Sequence, residues 1–250
     1  MWFTAWAITL TALLGALFVG VTVLTVALWS TDASYAETNP VVDLAFFALG
    51  GILVTLGVAS QIRARRVAGL QQAFVALTAL AVTGAVAGRV EPFVGGLVLL
   101  ALAVPLAVLH PNRDRLLAVG AGLDRPLATL ATIAMVPAML YAAGMVTLAR
   151  GSGPACFLGQ CVQGDRYAQA GALAVALVAV ALLAAARTPG WPFTARCAGA
   201  AAITMGVVSL ALPDEVGAFG TTPAVAALAW GCAVVAVALR RPGAPRASHE

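Results

Sequence analysis

The chain has 250 residues, of which 62% are hydrophobic and only 10% charged. Soluble domains carry about a quarter charged residues, and no soluble fold of this length hides so much apolar surface, so lipid must be part of the solvent. The net charge of +4 rests wholly on arginine, with no lysine, which reads as arginine usage and not as a nucleic-acid surface.

Eight apolar runs are long enough to cross about 30 Å of hydrocarbon as helices. They cover residues 2–29, 44–61, 67–88, 92–109, 126–149, 167–186, 196–212 and 222–239. A barrel strand would be about half as long and would alternate apolar with polar residues. The expected fold is all-α, a polytopic membrane helix bundle with eight transmembrane helices. The first run lacks the basic start of a secretory signal and outlasts a signal's apolar stretch, so it reads as a span.

Arg63, Arg65 and Arg66 follow the second run, with Gln61, Gln71 and Gln72 close by. The arginines are expected to meet anionic lipid headgroups. The glutamines are expected to hydrogen-bond between helices. In the third run, Gly84 and Gly88 stand four apart, a spacing that lets two helices approach closely. Arg89 and Glu91 flank the start of the fourth run. With Asp165, Arg166 and Tyr167 they are candidates for a binding site at an outer mouth; the plainer reading of Arg89 and Glu91 is a solvated turn. Residues 110–126 break the apolar character near the middle. They read as a cytoplasmic connector between a first half, 1–109, and a second half, 127–239.

The fifth run carries Met135, Pro137, Met139, Tyr141 and Met145. Methionines four apart share a helix face and can bind copper(I), although such stripes are usually packing. Pro137 is expected to kink the helix, which makes Tyr141 a candidate cavity residue. Cys156 and Cys161 lie in the next loop among glycines and a proline. The topology puts that loop in an oxidising compartment, so a structural disulfide is expected. Free thiols and a redox-active pair are the alternatives. Cys197 and Cys232 read as small buried hydrophobes. Trp230 is mid-span and reads as packing, whereas Trp2, Trp6, Trp29 and Trp191 fit interfacial belts. Residues 240–250 read as a disordered polar tail. No metal site and no cofactor is expected.

Arginine counting in the short loops sets the orientation. Eleven arginines (Arg63, Arg65, Arg66, Arg113, Arg115, Arg125, Arg187, Arg196, Arg240, Arg241 and Arg246) fall on one side, and Arg89, Arg150 and Arg166 on the other. Both termini are therefore expected in the cytoplasm, and the protein in the cell membrane.

The halves invite comparison as parallel four-helix repeats. Asp43 precedes the second run as Asp165 precedes the sixth, and Arg63 closes the second as Arg187 closes the sixth. Ala68 and Gly69 match Ala198 and Gly199, and Pro111 matches Pro242. Evenly spaced helices align in this way by default, so both explanations stand at this point.

Three stretches carry a family resemblance: EPFVGGLVLLALAVPLAVLHP, RPLATLATIAMVPAMLYAAG, and GDRYAQAGALA with the later RTPGWPFTARCAG. The chain resembles a group of uncharacterised multi-pass membrane proteins of GC-rich bacteria and archaea, over most of its length after Val41. The resemblance implies an integral membrane protein of unassigned activity and adds no catalytic residue. Those relatives often carry a histidine near the start of the sixth span, where this chain has Arg166 and Tyr167.

No run holds an ionisable residue at its centre, and such residues mark ion paths, proton relays and voltage sensors. The absence argues against a pump, an ion-coupled symporter or a retinal pigment. The leading expectation is a non-catalytic structural, assembly or sensing protein. A permease for a small neutral or lipophilic compound is the alternative, and a thiol-disulfide oxidoreductase built on Cys156 and Cys161 is a third. The lipid bilayer is the expected partner, with a homo-oligomer or a membrane-protein partner left open.

Overall fold

The computed structural model describes residues 2–24, 27, 39–63, 65–116, 120, 122–153 and 163–240. The described residues contain no strand. Eight helices are long and apolar enough to cross a membrane: α1 (Trp2–Leu24), α2 (Pro40–Arg63), α3 (Val67–Ala87), α4 (Val90–Val108), α5 (Arg125–Gly151), α6 (Gly164–Ala185), α7 (Trp191–Ala211) and α8 (Thr221–Arg240). Cys156, Cys161 and the tail after Arg240 lie outside the described residues, as does Trp29.

The helix starts are set by local chemistry. Asn39 Oδ1 accepts the N–H groups of Val41 and Val42 at 3.0 and 3.3 Å, with Pro40 opening the helix. Asp124 Oδ1 accepts the N–H of Leu127 at 3.3 Å, with Pro126 in the first turn of α5. Both satisfy backbone donors that a helix leaves free at its N-terminus. Hydropathy places the starts of the second, sixth and seventh spans later than these helices begin. The helices run on through Asp43, Asp165, Arg166 and Arg196, which lower hydropathy without breaking the backbone pattern.

The helices divide into two sets. Within the most apolar part of each, 83, 61, 72 and 56% of residues are buried in α2, α3, α6 and α7, against 28, 28, 17 and 22% in α1, α4, α5 and α8. The first four form the interior, where α3 packs on α6 and α7, and α2 packs on α6 and α7. Their contacts are mostly small residues, such as Ala73 and Ala76 in α3 and Ala168, Ala172 and Ala176 in α6. Lipid is as apolar as leucine, so close van der Waals packing holds these helices together.

Two stretches of wider helical turn interrupt the ladder, residues Gly15–Gly20 in α1 and Ala48–Thr55 in α2. They face each other: a Cβ at Gly50 would run into the Phe18 ring, and Phe18 packs on Phe46 at 4.8 Å between centroids. Widened turns shift the i to i−4 pairing and leave carbonyls for other donors. Thr55 Oγ donates to the Gly50 carbonyl at 2.8 Å, and Gln72 Nε2 from α3 donates to the Leu53 carbonyl at 2.7 Å. An interior glutamine thus serves the backbone of its neighbour.

Each half also carries one indole bond between its outer helices. Trp6 Nε1 on α1 donates to the Leu102 carbonyl on α4 at 3.1 Å. Trp230 Nε1 on α8 donates to the Leu130 carbonyl on α5 at 2.8 Å. The expected connector is tied down as well. Gln71 Nε2 donates to the Leu116 carbonyl at 2.6 Å, and Asp124 pairs with Arg187 at 3.0 Å.

Candidate functional site

An even number of crossings puts the start of α1 and the end of α8 on one face. Among the described residues that face holds nine arginines, Arg63 to Arg240, and the opposite face holds Arg89, Arg150 and Arg166. The expected segregation of arginine is therefore a property of the fold.

None of the three arginines on the sparse face is a free cation. Arg89 is buried and reaches the end of α5, not solvent. Its Nε donates to the Ala149 carbonyl at 2.9 Å and its Nη1 to the Gly153 carbonyl at 2.9 Å, while Nη2 bonds the carbonyls of Ala149 and Ser152. The last carbonyls of a helix lack partners within it and carry its negative dipole end, so a guanidinium there is doubly favoured. Arg150, in the last turn of α5, does the reverse: its Nε donates to the Val86 carbonyl in the last turn of α3 at 3.1 Å. The solvated-turn reading of Arg89 is thereby replaced by a pair of crossed helix caps.

Arg166 is the centre of the remaining charges. Its Nε lies 3.3 Å from Asp43 Oδ1. Its Nη1 donates to Gln169 Oε1 at 3.2 Å. Its guanidinium sits 4.1 Å from the centroid of the Phe46 ring, where the ring face attracts a cation. Asp43 and Asp165 occupy the first turns of α2 and α6, where helix dipoles favour negative charge. Asp165 is only 2% exposed, and neither carboxylate oxygen meets a hydrogen-bond donor. Glu91, in the first turn of α4, brings a second carboxyl within reach of it. Three helices thus place three carboxylates around one guanidinium.

Tyr141 is half-buried. Its hydroxyl donates to the Gly217 carbonyl at 2.8 Å, and its ring meets Phe219 edge-on at 4.8 Å. Asn39 Nδ2 donates to the Val216 carbonyl at 2.5 Å, and the Phe219 N–H donates to Ser209 Oγ at 3.3 Å. These bonds fold the α7–α8 loop down over the helix ends, helped by Gly217 at φ 94°. Pro137, Met135 and Met139 lie on the exposed side of α5, which continues unbroken past the proline. Tyr167 is buried beside Glu215 of the same loop.

On the arginine-rich face, His110 is buried at the end of α4. Its Nε2 lies 3.2 Å from Gln61 Oε1, and its Nδ1 accepts the Asn112 N–H at 3.0 Å. Burial away from water holds its pKa below the ordinary histidine value. Two open grooves lie on this side. One of about 920 Å³ is lined by Phe74, Val75, Val104, Leu183 and Arg113 among others. The other, of about 390 Å³, is lined by Ala59, Ser60, Ile62, Arg63 and Arg66.

Of the residues singled out from sequence, the fold brings Glu91, Asp165 and Arg166 together and sends Arg89, Tyr141 and Tyr167 to other tasks. Asp43, Gln169 and Phe46 complete the cluster without having been expected in it. The one hint was that Asp43 and Asp165 stand at matching places in the two halves. Cys197 is buried and free, and Cys232 is free but exposed, contrary to its expected burial. Among the described residues no group of three or more His, Cys, Asp or Glu is placed to hold a metal ion. No family model, curated protein or solved structure matches the chain.

Proposed function

We propose that the chain is a non-catalytic protein of the cell membrane that works in sensing or assembly through its helix ends, and that its halves are parallel four-helix repeats. The closed packing of α2, α3, α6 and α7 carries the functional reading. Their shared interior is filled mainly by alanine, leucine and valine, and the buried Gln72 amide is turned onto the backbone of α2. A permease needs a polar path along that axis. Cysteine accessibility tests this directly. Ala73→Cys and Ala172→Cys, both at fully buried positions, are expected to stay unlabelled by a water-soluble thiol reagent in membranes, while Arg63→Cys at the exposed end of α2 labels. Labelling at either interior position would favour the permease.

The repeat is supported by the burial pattern, in which outer, inner, inner, outer recurs in both halves. The indole bonds add to it. Trp6 matches Leu130 within two residues at the offset that relates Asp43 to Asp165, and Leu102 matches Trp230 within three residues at the offset that relates Pro111 to Pro242. The likeness to uncharacterised multi-pass proteins belongs to this proposal. So does a cytoplasmic place for the arginine-rich face.

Exposed Arg63 and Arg65, with the smaller groove beside Arg63, suit anionic headgroups on that face. Native mass spectrometry of Arg63→Gln/Arg65→Gln is expected to show fewer retained anionic lipids than the parent, with neutral lipids unchanged. Each arginine near such a surface is worth about 1 kcal/mol.

A further inference from the structure

We propose that the larger groove on the arginine-rich face binds one phospholipid with a zwitterionic, amine-bearing headgroup. Arg113 takes its phosphate, Asp114 takes its ammonium, and its acyl chains lie between α3, α4 and α6. The site goes beyond the functional reading above and does not rest on it.

The groove has the polarity of an amphiphile. Its volume of about 920 Å³ lies within the range of ligand clefts, about 300–1,000 Å³. Phe74 of α3, Val104 and Val108 of α4 and Leu183 of α6 form apolar walls. Val104 and Val108 are 47% and 58% exposed. From Val67, at the start of α3, to Phe74 the helix rises about 10 Å, so the walls reach into the hydrocarbon. Arg113 and Asp114 stand at the level of the helix ends, in the short turn that follows α4. Apolar walls below a charged edge repeat the order of chains and headgroup in one leaflet. Because Leu183 belongs to the second half, a lipid held here bridges the halves beside their connector.

The charged edge selects the headgroup. Among the described residues, Arg113 and Asp114 are the two charges that line the groove, and both are exposed. Arg115, next in the turn, does not line it. Among the described residues neither Arg113 nor Asp114 has a side-chain hydrogen bond or ion pair, so each charge is open to a ligand. A guanidinium suits a phosphate, and a primary ammonium donates hydrogen bonds to a carboxylate. A purely anionic headgroup would set a like charge against Asp114, and a trimethylated amine has no N–H to give it. The smaller groove differs, since its charged residues are Arg63 and Arg66 alone. The turn that carries the pair is fixed in place. The Leu116 N–H donates to the Arg113 carbonyl at 3.1 Å, and the Leu116 carbonyl accepts from Gln71 Nε2 at 2.6 Å. Gln71 Oε1, in the same wall, has no donor, which adds a second unmet acceptor to the groove.

The test is native mass spectrometry of the full chain in mild detergent, with one lipid added at a time. The lipids are phosphatidylethanolamine, phosphatidylcholine and phosphatidylglycerol with identical chains. The parent is expected to retain one phosphatidylethanolamine about fivefold better than either of the others, the size of one charge contact at a membrane surface. Asp114→Asn is expected to remove the preference over phosphatidylcholine, and Arg113→Gln to weaken retention of both lipids. Val104→Trp, which puts a ring into the groove, is expected to abolish the retained molecule. Arg63→Gln/Arg65→Gln, at the other groove, is expected to leave it unchanged. Circular dichroism and gel filtration check that each variant folds. The two charged positions are at the surface, so their variants decide the matter if Val104→Trp does not fold. Equal retention of phosphatidylethanolamine and phosphatidylcholine by the parent overturns the proposal, as does a preference that survives Asp114→Asn or a folded Val104→Trp. A parent preference for phosphatidylglycerol that falls in Arg113→Gln would make the occupant an anionic lipid and equally overturn it.

Discussion

A single ring shows how a residue's state follows from its neighbours. Gln61 Nε2 donates to the Arg66 carbonyl at 2.9 Å, which turns Gln61 Oε1 towards His110. His110 must then carry its proton on Nε2, and Nδ1 must keep its lone pair for the Asn112 N–H. A second proton would set two donors against each other at Nδ1. Burial adds to this, and the pKa is lowered. The unfolded chain, with a histidine pKa of about 6.5, binds that proton first. The stabilisation from neutral His110 is therefore complete above about pH 6.5 and declines as pH falls towards the lowered folded value. Thermal melts in nanodiscs are expected to show a falling melting temperature on acidification below about pH 6.5, with a flatter profile in His110→Gln. Which partners the charged residues meet is not legible in the sequence. Arg89 looked like a turn residue because its target, the end of α5, is 60 positions away. Nothing in the local pattern reveals which helix end will arrive beside it.

At the level of elements, apolar length was the strong signal, and the described residues contain all eight helices where eight runs stood. Their limits were less legible, because hydropathy stops at a charge while a helix stops at a cap. Asn39 and Asp124 are such caps. The widened turns in α1 and α2 left no trace in composition, since they arise from two helices fitting against each other. Gly50 exposes that fit: any side chain there meets Phe18. Gly50→Leu is expected to destabilise the protein by about 1–3 kcal/mol, the usual range for an overpacked interior, and Phe18→Ala should recover part of the loss. Denaturant titration in mild detergent with the double variant checks both statements. Equal losses in Gly50→Leu and Gly50→Leu/Phe18→Ala would show that the ring is not the obstacle.

For the whole molecule, the four inner helices, two on each side of the α4–α5 connection, pack on one another and are flanked by the four outer ones. The only covalent link between the halves runs from the end of α4 to the start of α5. That link is fastened at both ends, by Gln71 to Leu116 and by Arg187 to Asp124. Two chains ending after Leu116 and beginning at Gly120 are therefore expected to reassemble when produced together in one cell. Co-purification through a tag on one piece checks this, and a variant with Arg187→Ala should recover less complex. Failure of the pieces to associate would mean that the halves need their joint to find each other.

The crossed indoles have a bearing on origin. If the two halves descend from one ancestral unit, that unit joined its outer helices through a tryptophan and a backbone carbonyl. One descendant supplies the ring from its first helix and the other from its last. What was inherited would then be the bond across the gap, while the side that provides it was free to drift.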